Sequence, residues 1–207
     1  MSGLFVTFEG GDGSGKSTQA TLLAEWLAGT GRTVLRTREP GGTELGVELR
    51  NIVLHRRGDI APRAEALLYA ADRAHHIATK VRPALQRGEV VVQDRYFDSS
   101  VAYQGDGREL AAEEIRGISL WATDGLIPDL TILLDLDETA GLERVQRSST
   151  RYDRLEAEER DFHARVRAAY LRLAAAEPER FVVLDANGSR EAIAAQVRER
   201  VESLIIG

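Results

Sequence analysis

The chain has 207 residues, with 27 basic and 33 acidic side chains, a formal charge of −6, 43% hydrophobic residues and no cysteine. That length supports one core with an appended lobe rather than two full domains, so residues 1–207 are read as a single unit. Without cysteine there is no disulfide framework, zinc–thiolate centre or cysteine nucleophile, and the acidic balance argues against a general nucleic-acid-binding face.

The first apolar, β-branched run is Leu4–Glu9, and a helix with the stripe Leu22, Leu23, Trp26 and Leu27 follows it. Further strand-like runs are Thr33–Arg38, Glu89–Gln93, Leu130–Asp135 and Phe181–Asp185, each separated from the next by helically spaced sequence. From Thr139 to Ala176 the chain is charged and helix-favouring, broken by Ser148-Ser149-Thr150, which reads as a mobile excursion from the sheet. The last stripe is Ile193, Val197, Val201 and Leu204. This alternation predicts an α/β fold: a parallel sheet covered on both faces by helices, with ligands at the carboxyl ends of its strands.

The longest unbroken apolar stretch, Ala66–Ala71, is far too short to span a bilayer, and the opening Met-Ser-Gly-Leu-Phe-Val lacks a basic leader. A cytoplasmic protein with no membrane partner is expected. His75, His76 and His163 have no metal-ligand spacing and read as structural or exposed.

The strongest signal joins the first strand to its helix. Gly10-Gly11-Asp12-Gly13-Ser14-Gly15-Lys16-Ser17-Thr18 satisfies G-x-x-x-x-G-K-[ST] in the strand-to-helix context that the motif requires. Glycines let backbone N–H groups converge on phosphate oxygens, and the helix N-terminus adds partial positive charge. Lys16, one of only two lysines, is placed to reach the β and γ phosphates, and the Ser17 hydroxyl to meet Mg²⁺. Thr18 belongs to the same motif as a first-turn residue. The glycines cannot be threaded as G-x-G-x-x-G, which disfavours a dehydrogenase, and neither asparagine, Asn51 nor Asn187, precedes a lysine as N-K-x-D guanine reading needs.

Two later strands also end in charge at the same sheet edge. The third runs into Asp94-Arg95-Tyr96, a carboxylate and a guanidinium that either serve chemistry or form a structural ion pair. The second runs into Thr37-Arg38-Glu39-Pro40-Gly41-Gly42-Thr43, so Arg38 and Arg95 together suit one anion.

These segments resemble the thymidylate kinase family. The resemblance rests on GGDGSGKST, TREPGGT, the Asp94-Arg95-Tyr96 step and Tyr103-Gln104-Gly105, and runs through Phe8-Glu9-Gly10, Leu67-Leu68-Tyr69-Ala70-Ala71-Asp72-Arg73, Pro128-Asp129-Leu130 and Asp153-Arg154-Leu155-Glu156. It implies a three-layer α/β/α kinase fold with a five-stranded parallel sheet and a helical lid at about residues 144–156. It also implies transfer of the γ-phosphoryl of ATP to dTMP, in dTTP synthesis, with Mg²⁺ and a homodimer.

The resemblance implies roles for individual residues as well. Arg95 and Arg38 hold the acceptor phosphate, with Glu39 in the same dTMP pocket, and Asp94 organises magnesium-bound water. Tyr69 stacks on thymine, Arg73 meets a base carbonyl, Gln104 reads the base edge, Tyr103 lies against the sugar and Asp12 accepts from the 3′-hydroxyl. Ser99 and Ser100 either sit near the base or cap a helix. Some members carry an arginine where this chain has Gly13, so charge on the moving phosphoryl is expected from lid arginines among Arg144, Arg147, Arg151 and Arg154. Arg147 or Arg151 is the expected catalytic one, and Arg144 with Ala186-Asn187-Gly188 is expected near adenine. A kinase for another nucleoside monophosphate, or a nucleotide-dependent switch, are the alternatives that the residues leave open.

Overall fold

The structure, a computed structural model, describes residues 3–56, 58–148, 153–156 and 158–206. Its sheet has five strands: β1 (Leu4–Glu9), β2 (Val34–Arg38), β3 (Val90–Asp94), β4 (Leu130–Asp135) and β5 (Phe181–Asp185). Their spatial order is β2-β3-β1-β4-β5 and every pairing is parallel. β1 is central because Phe5, Val6 and Phe8 give it apolar side chains for both faces, and all three are buried.

Nine α-helices complete the described chain. α1 (Lys16–Gly29), α2 (Glu44–His55), α3 (Pro62–His76) and α4 (Arg82–Gln86) precede β3, with a π-helical turn, Ile77–Val81, joining α3 to α4. α5 (Phe97–Ser100) runs into a second π-helical turn, Val101–Gly107, before α6 (Ala112–Ala122). α7 (Glu138–Ser148), α8 (Arg160–Ala176) and α9 (Arg190–Ile206) follow. Among the described residues no helix is long and apolar enough to cross a membrane.

One core cluster lies between the sheet and α1 and α9, uniting Val6, Phe8, Leu23, Leu27, Val197 and Val201. In the expected stripes Leu22 and Trp26 are only half-buried and Leu204 is exposed, because in the last turn of α9 it is Val201 and Ile205 that face the core. A larger revision concerns residues 139–176. Although α8 carries many charges, it buries Phe162, Val166, Ala169, Tyr170 and Ala174, and so belongs to the core rather than to a mobile excursion.

The register sets the site. Phe8 pairs with Asp94 and Arg38 pairs with Asp94, so the residues that leave β1, β2 and β3 emerge side by side at one edge. β1 lies between β3 and β4, where the sheet changes its direction of growth, and the crevice there opens beside the glycine-rich loop.

Candidate active site

A cleft of about 530 Å³ opens at this edge, lined from the glycine loop by Asp12, Gly13, Gly15, Lys16, Ser17 and Thr18. Positive φ at Gly10, Gly13 and Gly15 gives the loop its curvature. At Gly13 the fold also leaves no room for a side chain, since a Cβ there would lie 2.4 Å from the Gly141 carbonyl oxygen on α7. Gly141 is equally constrained, because its own Cβ would lie 2.5 Å from the Asp12 oxygen. The loop and α7 thus touch backbone to backbone, and position 13 has no room for a side chain.

Lys16 is buried and folds back on its own loop, donating to the Gly11 carbonyl at 2.7 Å and to Ser14 Oγ at 3.4 Å. Burial, then the Arg95 charge, push its ammonium down to about 8 against the pull of Asp12, Asp94 and Glu9. The Ser17 hydroxyl donates to Asp94 Oδ2. A hydroxyl and a carboxylate held together at a phosphate loop are hard oxygen donors of the kind that suits a hydrated divalent ion.

Arg95 stands at the centre. Its backbone is left-handed, with φ 66°, a conformation that a non-glycine residue adopts only when its surroundings enforce it. Nη1 donates to the Gly10 carbonyl at 3.2 Å, to Ser99 Oγ at 3.1 Å and to Tyr170 OH at 3.3 Å. Nη2 donates to Asp12 and, at 3.2 Å, to Tyr103 OH. Burial raises the Asp12 carboxyl, but Arg95, Lys16 and the Tyr103 hydroxyl at 2.9 Å outweigh it and hold the group below its ordinary range.

Beneath Arg95 lies Glu9, fully buried. It accepts from the Tyr96 amide at 2.7 Å, the Ser99 amide at 3.3 Å, Ser99 Oγ at 2.5 Å and Tyr170 OH at 3.1 Å. Burial, then the Asp98 charge, raise its carboxyl to about 7 against these donors and Arg95.

Across the cleft, Glu39 is buried between Arg73 Nε at 2.8 Å and His76 Nδ1 at 2.9 Å, while His76 Nε2 meets Thr37 Oγ1 at 2.7 Å. His76 is therefore structural, as expected. Arg73 also donates to Ser119 Oγ at 3.1 Å, to the Tyr96 carbonyl at 3.3 Å and to Ser100 Oγ at 3.0 Å. Ser99 and Ser100 are thus partners of Arg95 and Arg73, and the N-cap of α5 is Tyr96, which makes no side-chain cap bond. Tyr69 closes the far wall, and Tyr103 and Gln104 reach the cleft from the second π-helical turn.

Arg38 lines the same cleft, exposed at the strand end. Arg144 donates to the Ala186 carbonyl at 3.1 Å, which joins the two segments expected near adenine. Arg147 is 78% exposed and pairs with Glu143 one helical turn away at 3.3 Å. Arg151, with Ser149 and Thr150, lies outside the described residues. Sequence reasoning missed Arg50, which lines the cleft and donates to the Pro40 carbonyl at 3.0 Å, and it missed Glu9, Glu65, Gly141 and Tyr170. A third arginine about two helical turns after the TREPGGT segment was a usable signal for Arg50.

A phosphate loop, paired strand-end guanidinium groups and one cleft containing both define a P-loop phosphotransferase with two anionic substrates. A thymidylate kinase family profile matches residues 8–197. The thymidylate kinase of Leifsonia xyli is 71% identical over 98% of this chain and 96% of that protein, and that of Halothermothrix orenii is 48% identical over the full length of both. The solved thymidylate kinase of Ehrlichia chaffeensis superposes with a TM-score of 0.74 at 33% identity, over 89% of this chain and 93% of that one. The chain belongs to the thymidylate kinase family.

Proposed function

We propose that this enzyme transfers the γ-phosphoryl group of ATP to dTMP, giving dTDP and ADP on the route to dTTP, in the cytoplasm. The observation that carries the reading is that Lys16 and Arg95 share one cleft: one is built for a triphosphate tail, the other held rigidly where a second phosphate must lie for in-line transfer.

The loop amides and Lys16 grip the β and γ phosphates, and Arg144 with the Ala186 loop takes adenine. Arg95, Arg38 and Glu39 fix the acceptor. Tyr69, Arg73, Ser99, Ser100 and Gln104 surround its base, while Tyr103 and Asp12 meet the sugar. Phosphoryl transfer asks for position and charge neutralisation rather than covalent help, and the half-buried, preorganised guanidinium of Arg95 supplies both. Lid closure brings Arg147 or Arg151 to the transferring group. Ser17 and Asp94 would hold Mg²⁺, which would supply charge neutralisation for the phosphates.

A homodimer fits the exposed apolar residues Leu45, Val47 and Ile52 on α2, Leu67 on α3 and Trp121 on α6, because α3 packs against both neighbours. The deciding experiment is ADP release with MgATP and a panel of monophosphates. dTMP is the preferred acceptor; faster turnover of AMP or CMP rejects the base assignment.

A further inference from the structure

Glu65, on α3, is fully buried and is not a wall of the cleft. Its Oε1 accepts from Gln104 Nε2 at 2.9 Å, and its two oxygens accept from Arg108 Nε and Nη2, both at 3.4 Å. The Arg154 guanidinium also meets it, from a residue that is itself tied to the end of α2 by Nε to the Val53 carbonyl at 2.9 Å and by its amide to the Leu54 carbonyl at 3.1 Å. Guanidinium donors from Arg108 and Arg154 face both oxygens of Glu65, and a carboxylate only accepts hydrogen bonds.

A carboxamide has one donating end and one accepting end. With its NH₂ taken by a group that cannot donate, Gln104 must turn its carbonyl away from Glu65. Gln104 lines the cleft, and among the described residues no donor meets its Oε1. A carbonyl that opens on the cleft in this way favours a ligand edge that donates and repels one that presents a lone pair.

We infer that Glu65 is a specificity-determining positioning residue: by fixing the Gln104 carboxamide it makes the base pocket select pyrimidines with an N3–H, thymine and uracil, and reject cytosine, whose N3 is an acceptor. The inference rests on the base pocket described under the proposed function. Glu65 touches no substrate, and its effect passes through one rotation about the last bond of Gln104.

The test is kcat/KM for dTMP, dUMP and dCMP at saturating ATP. In Glu65→Gln the partner can donate as well as accept, so Gln104 is freed to present either end. dTMP and dUMP should weaken together, chiefly in KM, while dCMP does not, and the dTMP-to-dCMP ratio should shrink by roughly 10- to 100-fold. A common loss for all three substrates means that Glu65 only supports the fold, and overturns the inference.

Gln104→Leu separates the two layers of the argument. If it shrinks the ratio and Glu65→Gln then adds nothing, Glu65 acts through Gln104; if Glu65→Gln still shrinks it, the proposed route is wrong. A ratio untouched by Gln104→Leu removes the base pocket itself. Should Glu65→Gln fail to fold, the wild-type protein still answers. The Gln104 side-chain amide protons, identified by NMR from their loss in Gln104→Leu, should exchange slowly with solvent, and exchange as fast as that of a surface glutamine refutes the clamp.

Discussion

Lys16 shows how burial tunes a single charge for its ligand. Its ammonium, brought down to about 8, loses its proton as pH rises past that value, and the neutral amine holds phosphate poorly. kcat/KM for ATP should therefore fall above about pH 8, and Lys16→Ala should lower kcat by about 10²- to 10³-fold with the melting temperature retained. Near-normal turnover of the alanine variant would show that the loop amides alone suffice. Glu9 works in the opposite sense. Its carboxyl, raised from 4.5 to about 7, binds more protons folded than unfolded between those values, so its contribution is complete below 4.5 and is lost as pH climbs through 7. Thermal stability measured across that interval should decline in the wild type relative to Glu9→Gln, which has no proton to lose; parallel curves would assign the raised carboxyl elsewhere. Lys16 was legible from its motif, because a phosphate loop is local in sequence. Glu9 and Glu65 were not, because their partners lie at residues 96–170 and 104–154, and such pairings exist only after the chain has folded.

Between elements, the closest approach is that of the glycine loop to α7. Adding one methyl at Gly141 forces it to within 2.5 Å of the Asp12 carbonyl oxygen, a contact between backbones that no rotamer relieves. Gly141→Ala should cost about 1–3 kcal/mol of stability and raise the KM for ATP; an unchanged melting temperature and KM would mean that the helix simply slides. Gly141 gave no sign of this, since a glycine inside a helical pattern carries no label of what it touches. The inner strands β1, β3 and β4 were visible as apolar runs because both their faces are buried, whereas β2 and β5 at the sheet edges are more exposed. α8 was misjudged for a related reason: charges on its outer face masked a buried one holding Phe162, Val166 and Tyr170. Because α8 is core, the proposed catalytic arginine is sought ahead of it, at Arg147 or Arg151. Arg147→Ala and Arg151→Ala assayed separately should show one large loss of kcat, by about 10³-fold or more, and one small one; two small losses would place the transition-state charge outside the lid.

Across the whole molecule, Trp121 is the largest apolar side chain left in water, at 84% exposure. If the proposed homodimer forms through this face, Trp121→Glu should sediment as a monomer, and an unaltered sedimentation coefficient would reject this face as the contact.

The order of the sheet bears on how the chain is made. β1 leaves the ribosome first, yet its partners are Leu4 with Val90 and Val6 with Leu130, so the earliest strand waits for two of the later ones. Until β4 has emerged, the loop after β1 has no mounting, and nucleotide in the cell has nothing to brace. A nascent chain stalled ahead of β4 should bind no ATP and remain open to protease, making this stretch of synthesis the period in which the molecule depends on chaperones rather than on its own substrate.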